Sequence, residues 1–121
     1  MAVKPMSYVG IVGAGTMGQG IAQVFIQSGW QVILSDPILK QLTSASKQIK
    51  KGLTREVEKG RLNSRQKDII LKNFRAVTSL LPLADVDLVI EAVTEKLDLK
   101  LGIFSQMGKI CSKKTIFASN T

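Results

Sequence analysis

The chain has 121 residues, with 17 Lys plus Arg, 9 Asp plus Glu, one Cys and no His. This length suits one domain, and a hydrophobic content of 45% is enough to form a core. Without histidine, these residues cannot form a Ser-His-Asp triad, an imidazole general base or a His-ligated metal site. The single Cys111 excludes an internal disulfide and favours a reducing compartment. Because neither a signal peptide nor a membrane-length apolar run occurs, we expect a cytoplasmic domain with no membrane segment. We expect no bound metal, because histidine is absent and there is only one cysteine.

The formal net charge of +8 is concentrated in one segment. Between Lys40 and Arg75 there are 11 basic and three acidic residues, and the rest of the chain is neutral overall. This segment indicates either a solvated amphipathic surface or contact with a localised anion. Nucleic acid is disfavoured as a partner, because the segment contains one aromatic residue, Phe74, and so lacks stacking platforms.

Hydrophobic patterns predict strands and helices that alternate along the chain. In chain order we expect a strand over 8–12, a helix over 19–28, a strand over 31–36, a long helix over 38–57, a shorter helix over 65–73, a short strand over 76–78, a strand over 87–93, a helix over 97–108 and a strand over 115–119. This alternation predicts an α/β fold with a parallel sheet and right-handed crossovers. The basic helical pair exceeds a minimal crossover, so residues 38–74 are expected to project as a helical arm.

The segment Gly13–Gly18 has the pattern G-x-G-x-x-G between the first strand and the first helix. Gly13 permits the turn, Gly15 lets a pyrophosphate approach the main chain, and Gly18 lets the helix pack closely. Asp36 ends the second strand, where its carboxylate can accept both ribose hydroxyls and would repel a 2′-phosphate. The combination predicts a Rossmann-type doubly wound, mostly parallel sheet that binds NAD rather than NADP. The alternative is a glycine turn with no dinucleotide.

Three segments of the chain resemble the 3-hydroxyacyl-CoA dehydrogenase family, including its 3-hydroxybutyryl-CoA type. They are Val9–Phe25, Asp87–Glu95 with the following Leu99 and Lys100, and Ala118–Thr121, which is similar to the start of an Ala-Ser-Asn-Thr-Ser-Ser motif. The resemblance covers the chain from Ser7 onward in order and spacing. It implies that residues 1–121 form the NAD-binding Rossmann domain of an oxidoreductase of fatty acid β-oxidation, truncated before a helical C-terminal domain.

The resemblance also implies which residues bind the cofactor. The full set is Gly13, Ala14, Gly15, Thr16, Met17, Gly18, Asp36, Ala92, Val93, Glu95, Lys100 and Asn120. The glycine loop would hold the pyrophosphate and Asp36 the adenosine ribose, while Glu95, Lys100 and Asn120 would lie near the nicotinamide half. The alternatives are a helix-start acid for Glu95, a surface lysine for Lys100 and a turn residue for Asn120.

A coenzyme A contact is implied in the basic helical arm. In the family this arm approaches the CoA phosphates, and Lys59 matches a position known for that contact. A second matched position is a serine in some members and Gly52 here, so one hydroxyl contact would be absent. We therefore expect an acyl-CoA substrate for the full-length enzyme, which would be a homodimer.

Family members oxidise 3-hydroxyacyl-CoA to 3-oxoacyl-CoA by hydride transfer to NAD, while a histidine takes the hydroxyl proton. That histidine follows the segment matched by the end of this sequence. We therefore expect no catalytic residue in this chain and no activity from the chain alone. Two alternatives stay open: a stand-alone nucleotide-binding or interaction module, and a hydroxy-acid dehydrogenase of the same family that does not use CoA.

Overall fold

A computed structural model describes residues 7–93 and 97–119. Its elements are β1 (Tyr8–Val12), α1 (Thr16–Gln27), β2 (Gln31–Ser35), α2 (Leu39–Glu58), α3 (Ser64–Leu71), β3 (Phe74–Val77), a 3₁₀ turn (Leu81–Leu83), β4 (Leu88–Glu91), α4 (Leu97–Ile110) and β5 (Ile116–Ser119). The predicted alternation of strands and helices is confirmed. Within these ranges, the helices are too short or too polar to cross a lipid bilayer.

The five strands form one parallel sheet in the order β3-β2-β1-β4-β5. The chain moves outward from β1 to β3 and then returns to place β4 on the other side of β1. This reversal of strand order is the switch point at which open α/β sheets bind ligands. In register, Val12 lies opposite both Ser35 and Glu91, so the loops that follow β1, β2 and β4 meet at one edge. The predicted Rossmann-type sheet is therefore confirmed.

Side chains of each central strand alternate between two cores, one on each face of the sheet. Val9 and Ile11 point into the core formed with α1 and α2, whereas Val12 belongs to the core of the opposite face. Gly10 also faces that second core, where a Cβ would stand 2.6 Å from Leu83 Cγ. Helical packing on both faces explains why β1 and β2 are almost continuously apolar.

Most elements differ from the sequence prediction by one to three residues at their ends, and α1, β3 and β4 are examples. Helix α1 begins at Thr16, directly after the second glycine, so the turn between β1 and α1 is only three residues long. Strand β3 lies two residues earlier than predicted at its start, because Val32 pairs with Phe74. Strand β4 stops at Glu91, whose carboxylate accepts a hydrogen bond from the main-chain N–H of Val93 and so turns the chain out of the ladder.

Helices α2 and α3 form the segment predicted as the helical arm, and the inner face of α2 is part of the core. Leu42, Ala45, Ile49 and Leu53 of α2 are buried together with side chains of β1, β2 and α1. All of the basic residues of the arm are exposed except the half-buried Lys67. The apolar stripe therefore anchors α2 on the sheet, and the charge lies on the outer surface.

Candidate dinucleotide-binding site

A cleft of about 920 Å³ opens at the carboxyl edge of the sheet, over the switch point between β1 and β4. Its volume is within the usual range of roughly 300–1,000 Å³ for ligand sites. Among the described residues, no group of three His, Cys, Asp or Glu is placed to hold a metal ion. The cleft is lined by Val12, Gly13, Ala14, Gly15, Thr16, Met17, Ser35, Asp36, Pro37, Ile38, Gln41, Thr78, Leu80, Ala92, Val93, Ile103 and Gln106.

The three motif glycines occupy three different environments. Gly13 has φ of 108°, and a Cβ there would stand 3.1 Å from the carbonyl carbon of Ala92. A Cβ on Gly18 would stand 1.8 Å from the carbonyl oxygen of Gly13, so this helix position has no room for a side chain. Gly15 differs, because nothing lies within 4 Å of a Cβ built on it. The bare main chain at Gly15 therefore borders open space in the cleft, as the approach of a pyrophosphate requires.

Asp36 ties the second strand to the glycine loop. Its Oδ2 accepts a hydrogen bond of 3.0 Å from the N–H of Ala14, and its Oδ1 accepts one of 2.9 Å from the N–H of Ile38. A carboxylate has about four lone-pair sites, so two remain for other donors such as ribose hydroxyls. The sequence predicts only the contact of Asp36 with the ribose. The hydrogen bond to Ala14 was not predicted, because it joins residues 22 positions apart in the chain.

Most of the predicted cofactor residues lie together at the cleft. Gly13–Met17, Asp36, Ala92 and Val93 all line it, and Gly18 packs directly behind the loop. Lys100 does not line the cleft, because its Nζ lies 3.4 Å from Oε1 of the buried Glu91. Glu95 and Asn120 lie outside the described residues. Their predicted roles stay predictions, as does a dinucleotide contact of any of these side chains.

Lys59, the predicted coenzyme A contact, and Gly52, where the family's second contact would be absent, have different surroundings. Lys59 is exposed at the end of α2 and does not line the cleft. Gly52 is buried, and a Cβ there would stand 2.3 Å from Oε1 of Gln23 on α1. A serine at position 52 would therefore point toward α1 and displace Gln23. The geometry leaves Lys59 as the accessible member of the pair.

Several residues that line the cleft were not predicted from the sequence. Leu80, Ile103 and Gln106 form part of the wall from segments far from the glycine motif. Gln41 could have been suspected, since it lies in the first turn of α2, five residues after the acid that ends β2. For the others, only the packing of α4 and the 3₁₀ region against the sheet brings them to the cleft.

Gly15→Ala is expected to weaken NADH binding at least about tenfold while the fold persists. The main chain at Gly15 has φ of −73° and ψ of −170°, which any residue adopts, and the new methyl group would enter the open space above the loop. Loss of the glycine N-cap should cost at most about 1 kcal/mol of unfolding free energy. NADH fluorescence titration and urea unfolding measure the two effects. An unchanged dissociation constant in the folded variant contradicts the use of this space by the cofactor.

Comparison with known proteins gives a family match over nearly the whole chain. Residues 8–121 match the family model described as 3-hydroxyacyl-CoA dehydrogenase, NAD binding domain. The chain is 39% identical over 113 residues to 3-hydroxyadipyl-CoA dehydrogenase of Escherichia coli. This match covers 93% of this chain and 24% of that protein. It is 40% identical over 112 residues to the probable 3-hydroxybutyryl-CoA dehydrogenase of Deinococcus radiodurans, covering 93% of this chain and 40% of the relative.

The fold is similar to that of a solved relative from M. tuberculosis. The crystal structure of FadB2 superposes with a TM-score of 0.91 at 36% identity, and the match covers 98% of this chain and 42% of that one. The chain thus spans less than half the length of these relatives.

Proposed function

Since the chain belongs to the family of the 3-hydroxyacyl-CoA dehydrogenase NAD-binding domain, we propose that its cleft binds NAD across the switch point of the sheet. The observation that carries this proposal is the open space over Gly15, at the start of α1 and beside Asp36. The pyrophosphate would lie on the glycine loop, and the adenosine ribose at Asp36. The nicotinamide half would then extend toward Ala92 and Val93, on the other side of β1.

The main chain supplies most of the binding chemistry in this proposal. The first N–H groups of α1 have no partners within the helix and point toward the loop, where the helix dipole favours a negative charge. The residues present fit a diphosphate, because the loop offers main-chain donors and no side chain at its second glycine. Bound NAD would supply the hydride acceptor, and the chain's residues would hold and orient it.

For the whole protein we propose oxidation of 3-hydroxyacyl-CoA to 3-oxoacyl-CoA. The names of the CoA-dependent relatives support this reaction over a stand-alone module or a hydroxy-acid enzyme without CoA. The 121 residues contain no histidine, so we propose that the proton acceptor lies outside them and that this chain alone is inactive. Lys59 remains the proposed contact for a CoA phosphate. The homodimer and the cytoplasmic location stay predictions.

Saturable binding of NADH by the 121-residue chain is the expected result that tests the proposal. The NADH fluorescence should rise to a plateau, and excess NAD should reverse the change. The same sample should not oxidise NADH when acetoacetyl-CoA is added, as followed by absorbance. Circular dichroism establishes that the sample is folded. A folded chain that does not bind NADH would refute cofactor binding, and turnover of acetoacetyl-CoA would refute the proposed inactivity.

A further inference from the structure

Glu91 at the end of β4 is a buried carboxylate with three donors around it. Its exposed fraction is 0%, although it lies next to the cleft. Oε2 accepts a hydrogen bond from the N–H of Val93, and Oε1 accepts one of 2.9 Å from the hydroxyl of Ser119. The Nζ of Lys100 lies 3.4 Å from the same Oε1. The cluster joins β4, α4 and β5 through one side chain.

Both carboxylate oxygens of Glu91 act as acceptors in this cluster. The Val93 N–H and the Lys100 ammonium can only donate, and the Ser119 hydroxyl donates in the observed arrangement, so both oxygens of Glu91 must accept. A glutamine would have one accepting oxygen and one NH₂ group. In either orientation of the amide, the NH₂ group would face a donor. The Val93 turn or the Lys100 side chain would then have to move.

The cluster lies directly behind the wall of the cleft. Ala92 and Val93, which line the cleft, follow Glu91 in the chain. The N–H of Ala92 donates to the carbonyl of Val12 at 2.8 Å, and the Ala92 carbonyl packs against Gly13. The position of this turn therefore sets the gap between β4 and the glycine loop.

We propose that Glu91 is a positioning residue for the nicotinamide half of the cleft. Its carboxylate fixes the Ala92–Val93 turn and holds the Lys100 ammonium beside it. This inference rests on the proposed binding of NAD. The adenosine half binds on the β2 side, at Asp36, and the other half of the dinucleotide binds on the β4 side. A defect at Glu91 should therefore weaken binding of the complete dinucleotide and leave binding of its adenosine half unchanged.

The test compares NADH with AMP, each titrated by calorimetry against the wild-type chain and its variants. Glu91→Gln should raise the dissociation constant of NADH at least about fivefold and leave that of AMP within about twofold. The matched control is Glu56→Gln, which removes the same charge from the exposed pair with Arg61 at 3.1 Å. The control should bind both ligands like the wild type. Asp36→Ala should weaken both ligands, because both contain the adenosine ribose.

Each outcome decides between the proposals. Unchanged NADH binding by folded Glu91→Gln, or an equal loss of NADH and AMP binding, overturns the positioning role and leaves NAD binding intact. If the wild-type chain binds neither ligand, the proposed function itself fails. Should Glu91→Gln not fold, Ser119→Ala decides: it keeps the charge, removes one donor and should weaken NADH selectively by about twofold or more. Equal NADH binding by Ser119→Ala and the wild type then overturns the role.

Discussion

Gly18→Ala is expected to lower the free energy of unfolding by about 3 kcal/mol or more and to abolish NADH binding. The new Cβ would stand 1.8 Å from the carbonyl oxygen of Gly13 and 2.9 Å from its carbonyl carbon. Both are main-chain atoms, so the clash can be relieved only if α1 moves away from β1. That movement would loosen the core cluster that Ala22 and Ile26 share with Ile11. Urea unfolding followed by circular dichroism measures the loss.

Gly20→Ala provides the matched control on the same helix. Gly20 is exposed, and nothing lies within 4 Å of a Cβ built on it. The same substitution should therefore stabilise the chain by about 0.5–1 kcal/mol, the intrinsic helix preference of alanine over glycine. If Gly18→Ala and Gly20→Ala unfold at the same urea concentration, the close contact between α1 and the loop is not a requirement of the fold.

Asp36→Ala is expected to weaken NADH binding by about 100-fold and to reduce the preference for NADH over NADPH. The variant loses the acceptor proposed for two ribose hydroxyls and the charge that would repel a 2′-phosphate. It also leaves the N–H of the fully buried Ala14 without its partner, which should cost about 1–3 kcal/mol of unfolding free energy. Titrations with NADH and NADPH measure the binding, and thermal melting measures the stability.

Asp85→Ala separates this effect from a general loss of negative charge. Asp85 is exposed and lies outside the cleft lining, so its removal should change neither ligand's dissociation constant. The proposed role of Asp36 predicts that NADPH affinity falls less than NADH affinity, or rises. A parallel loss for both dinucleotides would indicate that Asp36 acts only through the glycine loop.

Local patterns in the sequence were sufficient for the framework of the fold. Asn63 caps α3, since its side chain accepts a hydrogen bond from the N–H of Gln66 while the Gln66 side chain accepts one from the N–H of Asn63. Gly60, which follows the end of α2, has φ of 77°. These features depend on residues within one turn of helix, so they can be predicted from residues that are close in the sequence.

Contacts between distant segments could not be predicted in the same way. The sequence did not predict that the Lys100 ammonium pairs with Glu91. The predicted position of Lys100 near the nicotinamide stays a prediction. Ser119 reaches that carboxylate from 28 residues away. Gly52 faces α1 because α2 packs closely there. Each of these contacts depends on how helices and strands pack against one another. The hydrophobic periodicity of the sequence does not specify that packing.

The sequence by itself determined the alternation of strands and helices, the glycine turn and the acid at the end of β2. Their physical basis is local: side-chain period, main-chain freedom at glycine, and spacing along one βαβ unit. Only the tertiary structure decided that Asp36 accepts a hydrogen bond from the glycine loop and that Leu80, Ile103 and Gln106 line the cleft. It also decided that Glu91 accepts a hydrogen bond from the main chain of Val93. Those contacts form because the strand order of the sheet brings together polar groups that are distant in the sequence. Where these groups are shielded from water, each donor needs an acceptor within the protein.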